Sequence, residues 1–113
     1  MECLFCKIAN GDILANILYQ DEQVVCFDDI SPKAPHHKLI IPRKHIATIN
    51  DIGAEDQALI GHMVTTGAAM AKQLNIAEPG YRLVFNCNSD GGQLVYHIHL
   101  HLLGGRQMTW PPG

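Results

Sequence analysis

The sequence predicts an α+β fold: an antiparallel sheet of about five strands with one long and one short helix, in a single domain covering residues 1–113. Three observations carry that expectation. Short apolar runs with strand character follow one another through brief polar links, which suits antiparallel neighbours rather than crossover connections. One stretch alone sustains a helical apolar period over several turns. The length of 113 residues suffices for one hydrophobic core but not for two.

In chain order, "CLFCKIAN" reads as a short helix with Leu4, Phe5 and Ile8 on one face and Gly11 as its stop. "NILYQD" and "VVCFDD" read as two strands joined by the polar turn around Asp21–Gln23. "ISPKAPHH" contains two prolines and reads as a loop, and "KLIIP" as a buried strand ended by Pro42. The long helix is expected from Ala54 to Leu74. There Leu59, Ile60, Met63, Val64, Gly67, Met70, Ala71 and Leu74 recur at three- and four-residue steps. "EPG" breaks the chain before the strand "YRLVFNCN". The turn "SDGGQ" then leads into "LVYHIHLHLL", expected to be the last and longest strand. Both helices are expected on one face of the sheet.

Composition narrows the function classes. With 47% hydrophobic and 17% charged residues the chain is globular rather than disordered. A net charge of −3 and a pI near 6.1 argue against a nucleic-acid polymer as partner, though not against a single nucleotide. No apolar run approaches the roughly 18 residues needed to cross a bilayer, so no membrane role is expected. "MECLFCKIANGD" lacks a basic segment followed by an apolar run, and the expected compartment is the cytoplasm. Cys3, Cys6, Cys26 and Cys87 are then expected as thiols rather than a disulfide frame, with Cys26 and Cys87 in the core.

The chemistry-bearing motif is "HIHLHLL". Side chains along a strand alternate faces, so His97, His99 and His101 project together while Ile98, Leu100 and Leu102 point to the core. Three imidazoles in register could hold a zinc ion or act directly on a substrate. Cys3 and Cys6 form a Cys-x-x-Cys pair without the βαβ context of a redox motif. It is either half of a structural metal site or two buried thiols. Gly91 and Gly92 allow close main-chain approach to an anion, although a Gly-Gly turn can be only a turn. Asp29, read alone, is a loop-capping carboxylate.

"HIHLHLL" matches, at every position, the His-x-His-x-His-x-x pattern (x apolar) of the histidine triad superfamily. "DISPKAPHHKLIIPRKHI", "GYRLVFNCNSDGGQ", "VYHIHLHLLGGRQM" and "WPPG" extend the match along essentially the whole chain. The sequence resembles the nucleotide-binding branch called HINT. That resemblance implies a HIT-like fold and a purine nucleoside phosphoramidase. Such an enzyme acts on the α-phosphorus of a nucleoside monophosphate ester or amide through a covalent nucleotidyl-histidine intermediate.

Carried over position by position, the resemblance makes His99 the nucleophile, with His101, His97 and the upstream His37 as further catalytic histidines. His101 would donate to a phosphate oxygen and His37 would orient or donate to the triad. Phe5, Ile8, Phe27, Ile30 and Leu39 would form an apolar slot for the base. Asp29 would bind ribose; Asn86, Gly92 and Gln93 would lie near phosphate and ribose. No cofactor is required for catalysis. Cys3 and Cys6, with His45 and His97, would hold a structural zinc, although close relatives lack both cysteines. The branch commonly carries a serine after the glutamine, where this chain has Leu94, which cannot donate a proton. The ligand expected is AMP, GMP or a nucleoside phosphoramidate. A homodimer is expected to pair through the long helix, with Gly61, Gly67, Ala68 and Ala69 admitting the partner, and through the strand "YRLVFNCN". Trp110 would reach toward the neighbour's site. A dinucleoside polyphosphate hydrolase, a nucleotide-binding interaction protein with weak hydrolysis and a zinc-dependent hydrolase are the alternatives.

Overall fold

The computed structural model describes residues 3–113. Strands β1 (Ile17–Gln20), β2 (Val24–Asp28), β3 (His36–Pro42), β4 (Tyr81–Phe85) and β5 (Leu100–Gly104) form one sheet in the order β1-β2-β3-β5-β4. Every pairing is antiparallel. Helix α1 spans Leu4–Ala9 and helix α2 spans Gln57–Gln73; 3-10 turns lie at Ile49–Asp51 and Ala54–Asp56. No helix among the described residues is long and apolar enough to cross a membrane.

The helices occupy opposite faces of the sheet, not one face as expected. The strand pleat shows why. On one side Val24, Cys26, Ile40, Leu100 and Leu102 pack with Met63 and Met70 of α2. The alternate residues Val25, Phe27, Leu39 and Ile41 pack with Phe5 and Ile8 of α1. The central strands are apolar on both sides, as strands covered on both faces must be.

At six residues α1 is too short to persist alone, and burial of Phe5, Ile8 and Ala9 holds it. Leu4, expected on that face, is exposed instead. Gly11 ends the helix at φ +80°, a conformation that favours glycine. On α2, the face toward the sheet is Met63, Thr66, Gly67, Met70 and Ala71. A Cβ on Gly67 would lie 3.2 Å from Leu83 and 3.3 Å from Ile40. That glycine therefore brings helix against sheet and is not open to a partner, whereas Gly61 and Ala69 are exposed.

Two strand boundaries differ from expectation. His36 and His37, expected in a loop, open β3, which at seven residues is the longest strand. The last strand covers only Leu100–Gly104. Before it, Ile98 N–H donates to Ile46 O at 2.8 Å, so the chain pairs with the connection after β3 rather than with the ladder. The face alternation nevertheless continues through this segment, with Ile98 in the α2 core. Cys26 is buried, whereas Cys87 lies beyond β4 and is half-buried.

Leu102 lies opposite both Lys38 of β3 and Leu83 of β4 and is completely buried. Leu102→Ala is expected to cost about 2–5 kcal/mol of unfolding free energy. Leu14→Ala, at a position 98% exposed, should change it by less than about 0.5 kcal/mol. Urea titration of the two variants checks the contrast.

Candidate functional site

Four imidazoles meet on the α1 side of the sheet, and hydrogen bonds fix their tautomers. His99 Nδ1–H donates to the His97 carbonyl at 2.8 Å, which leaves Nε2 with its lone pair. Lys33 N–H donates to His37 Nδ1 at 3.0 Å, so the His37 proton sits on Nε2. That Nε2–H donates to His101 Nδ1 at 2.9 Å, placing the His101 proton on its own Nε2. The His99 and His101 ring centroids are 4.9 Å apart. No buried side-chain nitrogen or oxygen among the described residues lacks a partner. The Nε2 atoms of His99 and His101, which make no hydrogen bond, therefore reach solvent. One aims a lone pair outward, the other a proton.

Burial lowers the pKa of His99 and of His37 below the ordinary imidazole value, and takes His101 to about 4, with His99 and His37 adding to the effect. All three are neutral at pH 7. A neutral imidazole with a fixed tautomer is a ready nucleophile on one side and a hydrogen-bond donor on the other. Asp29 stands beside them: Oδ1 accepts from Ser31 N–H at 2.7 Å, and Oδ2 lies 3.4 Å from His37 Nε2. It is thus a loop cap and a neighbour of the histidines together.

The apolar residues are placed unequally. Phe5, Ile8, Phe27 and Leu39 form one buried cluster, and Phe5 stands edge-on to His99 with ring centroids 5.1 Å apart. Ile30 is instead 97% exposed, next to Asp29. Asn86 follows β4 and its side chain bonds to nothing among the described residues. Gln93 is buried, its amide donating to Ala47 O and Val95 O and its Oε1 accepting from Asn88 N–H. Both amide protons are therefore committed to backbone, and Gln93 braces the turn. Gly92 N–H and Gln93 N–H donate to Ser89 O and Asn88 O, closing the turn. Gly91 is required because a Cβ there would lie 2.4 Å from Cys87 O. These glycines build the turn, and those two N–H groups do not face an anion.

His97 departs from the expected catalytic group. It is fully buried, with Nε2–H donating to Pro42 O at 2.7 Å. Its Nδ1 lone pair lies 3.4 Å from Cys3 Sγ, 3.6 Å from Cys6 Sγ and 3.2 Å from His45 Nδ1. Cys6 Sγ is 3.4 Å from His45 Nδ1. The four candidate ligand atoms lie within 4.8 Å of one another. Tetrahedral zinc bonds of about 2.3 Å to sulfur and 2.0–2.1 Å to nitrogen separate ligand atoms by roughly 3.3–3.8 Å. The Cys₂His₂ set fits. The Pro42 carbonyl supplies the outer hydrogen bond that a ligating histidine uses to keep its lone pair on the metal side. Burial and the neighbouring Cys3 push the Cys6 thiol pKa up, a penalty that a bound cation would reverse.

No sequence signal points to the Lys33 N–H that sets the His37 tautomer; the prolines in "ISPKAPHH" indicate a loop, not that it folds back onto its own histidine. His62, without an assigned role, hydrogen-bonds Asp21 Oδ2 at 2.7 Å and so ties α2 to the β1–β2 turn.

Comparison with known proteins bears on the family and the fold. Residues 2–110 match the family model described as scavenger mRNA decapping enzyme C-term binding. A purine nucleoside phosphoramidase of Escherichia coli (strain K12) is 53% identical over 107 residues, covering 95% of this chain and 90% of that protein. The crystal structure of a HIT family hydrolase from Legionella pneumophila Philadelphia 1 superposes with TM-score 0.98 at 58% identity, covering 99% of this chain and 100% of that one. A histidine triad nucleotide-binding protein from Candida albicans gives TM-score 0.83 at 30% identity, with coverage of 97% and 83%.

The depressed His101 pKa makes stability depend on pH. Between about 6.5 and 4 an unfolded His101 takes up a proton that the folded one refuses. Folding stability is expected to fall as pH drops through that window, with His37 and His99 contributing in the same direction. Urea midpoints at pH 7 and pH 5 should show the loss. The His101 Cε1 proton resonance should titrate near 4 rather than 6.5.

Proposed function

The chain belongs to the histidine triad superfamily, and from that premise we propose that it hydrolyses purine nucleoside phosphoramidates through a nucleotidyl group carried on His99. The observation that carries this reading is the His99 ring, fixed by the His97 carbonyl with an unprotonated Nε2 open to solvent. The 53% identical relative named as a purine nucleoside phosphoramidase supports the substrate class.

In the proposed reaction the Nε2 lone pair of His99 attacks the α-phosphorus and the phosphorus–nitrogen bond to the amine breaks. The departing nitrogen takes a proton from solvent, because a neutral His101 that gave up its last N–H would be left an imidazolate. His101 Nε2–H, backed by His37, instead steadies a non-bridging oxygen as charge builds on it. Water then attacks phosphorus, the bond to His99 breaks, and the proton shed by the water returns to solvent. The products are a nucleoside monophosphate and an amine. Leu94 is 91% exposed and offers no hydroxyl to the leaving group.

Asp29 binds the ribose hydroxyls, and the base covers the exposed Ile30 against the Phe5, Phe27 and Leu39 cluster. Cys3, Cys6, His45 and His97 hold a structural zinc, which fastens parts of the fold and takes no part in the reaction. The chain pairs as a homodimer through the β4 edge. Arg82 of β4 donates to Thr109 O, so the tail bearing the exposed Trp110 runs beside that edge and reaches the partner.

His99→Ala is expected to lower turnover of an adenosine phosphoramidate by roughly 10⁴-fold or more while leaving AMP binding measurable. Rapid acid quenching and peptide mass spectrometry should find a nucleotidyl group on the peptide containing His99 in the unaltered protein. An adduct on another residue, or full turnover by His99→Ala, contradicts the assignment.

A further inference from the structure

One metal-ligand candidate, His97, and the nucleophile, His99, meet at a single peptide unit. The His97–Ile98 peptide is held from both sides: its carbonyl accepts His99 Nδ1–H at 2.8 Å, and its N–H donates to Ile46 O at 2.8 Å. Ile46 is the immediate neighbour of His45, one candidate ligand, and His97 is another. The His97 ring is anchored at both nitrogens, to Pro42 O on one side and within the cysteine cluster on the other. No ladder hydrogen bond of β5 reaches this residue, because the strand begins at Leu100.

The remaining ligands come from α1. Cys3 and Cys6 flank Phe5, whose ring stands at 88° to His99 with centroids 5.1 Å apart and at 71° to His97 with centroids 6.0 Å apart. A six-residue helix has little stability of its own. Fastening its two cysteines to residues 39 and more positions away adds a second hold, beside the burial of Phe5, Ile8 and Ala9, on the helix that carries Phe5.

We propose that a zinc ion held by Cys3, Cys6, His45 and His97 positions the nucleophile, by locking the His97 carbonyl that fixes the His99 tautomer and the Phe5 ring that walls it. His97 and Phe5 are thereby positioning residues for His99, and the metal centre is a requirement of nucleophile geometry as well as of folding. The inference rests on His99 as the nucleophile. It assigns no chemical step to the metal. A displacement of about 1 Å at a reacting group costs on the order of 100-fold in rate, so modest relaxation around His97 is enough to matter.

The test is nitrogen-15 NMR of the histidine rings in the full chain, zinc-loaded and zinc-stripped, with circular dichroism to confirm that the stripped protein is folded. Zinc-loaded protein is expected to show His99 as a single Nδ1–H tautomer. Stripped protein should show averaged tautomers and form the His99 adduct about 100-fold more slowly. His45→Cys, which keeps four ligands, should restore the single tautomer when zinc is added, whereas His45→Ala should not. Phe5 also lines the slot proposed for the base, so Phe5→Leu, loaded with zinc and without substrate, is read by the His99 tautomer: it should keep the metal but show averaged tautomers. A folded, stripped protein with an unchanged His99 tautomer and adduct rate overturns the proposal. If stripping unfolds the chain, Phe5→Leu decides, and an unaltered His99 tautomer in that variant also overturns it. Should zinc-loaded unaltered protein form no adduct on His99, the proposed reaction fails, while the tautomer comparison still settles the clamp.

Discussion

Alternation from His97 to Leu102 is the constraint on which both cores and the site depend. Successive residues send imidazoles toward α1 and aliphatic side chains toward α2. Ile98, Leu100 and Leu102 are at most 2% exposed, and burying them fixes the rotation of the segment about its own axis. A slip of one residue would bury three histidines among Met63, Met70 and Ile40 and expose the aliphatic set. The site is therefore registered by the hydrophobic core behind it, and the chemistry inherits the precision of the packing.

Backbone groups, not charges, then decide what each imidazole can do. The His97 carbonyl, the Pro42 carbonyl and the Lys33 N–H each engage one ring nitrogen, and His37 passes the constraint on to His101. Burial disfavours the charged forms of His37, His99 and His101, so the protons remain where these bonds put them. Side chains of identical chemistry acquire different roles from the groups they meet. His99 presents a lone pair, His101 a proton, and His97 neither, because both of its nitrogens are spent inside the protein.

The elements built on local signals were legible in the sequence. Gly11 ending a helix, the periodic stretch closing at Leu74 and the apolar runs of β2 and β3 all depend on near neighbours. The histidine alternation was legible for the same reason. What escaped depends on partners distant in the chain. Whether α1 and α2 share a face is set by which alternate residues of β2 each covers, and a strand apolar on both sides carries no preference that a pattern can show. The ladder begins at Leu100, later than the apolar pattern implies, because Ile98 finds the carbonyl of Ile46 instead. Resemblance supplied Gln93 and Gly92 as neighbours of phosphate and ribose. The hydrogen bonds of this chain give the Gln93 amide protons and the Gly92 N–H to the backbone around them.

The electrostatic character of the site follows from the same accounting. Its imidazoles are neutral at pH 7, and Asp29 is the acidic group beside them, 3.4 Å from His37. Lys33 and Lys38, whose charges help to hold down the His37 pKa, bond Ser31 O and Asp28 through Nζ. Such a site meets an anion with the oriented Nε2–H of His101 rather than with a charge of opposite sign on the imidazoles. What the site offers a ligand is therefore set less by net charge than by direction, a lone pair on His99 Nε2 and an N–H on His101 Nε2, each aimed by a bond made at the other nitrogen of its ring.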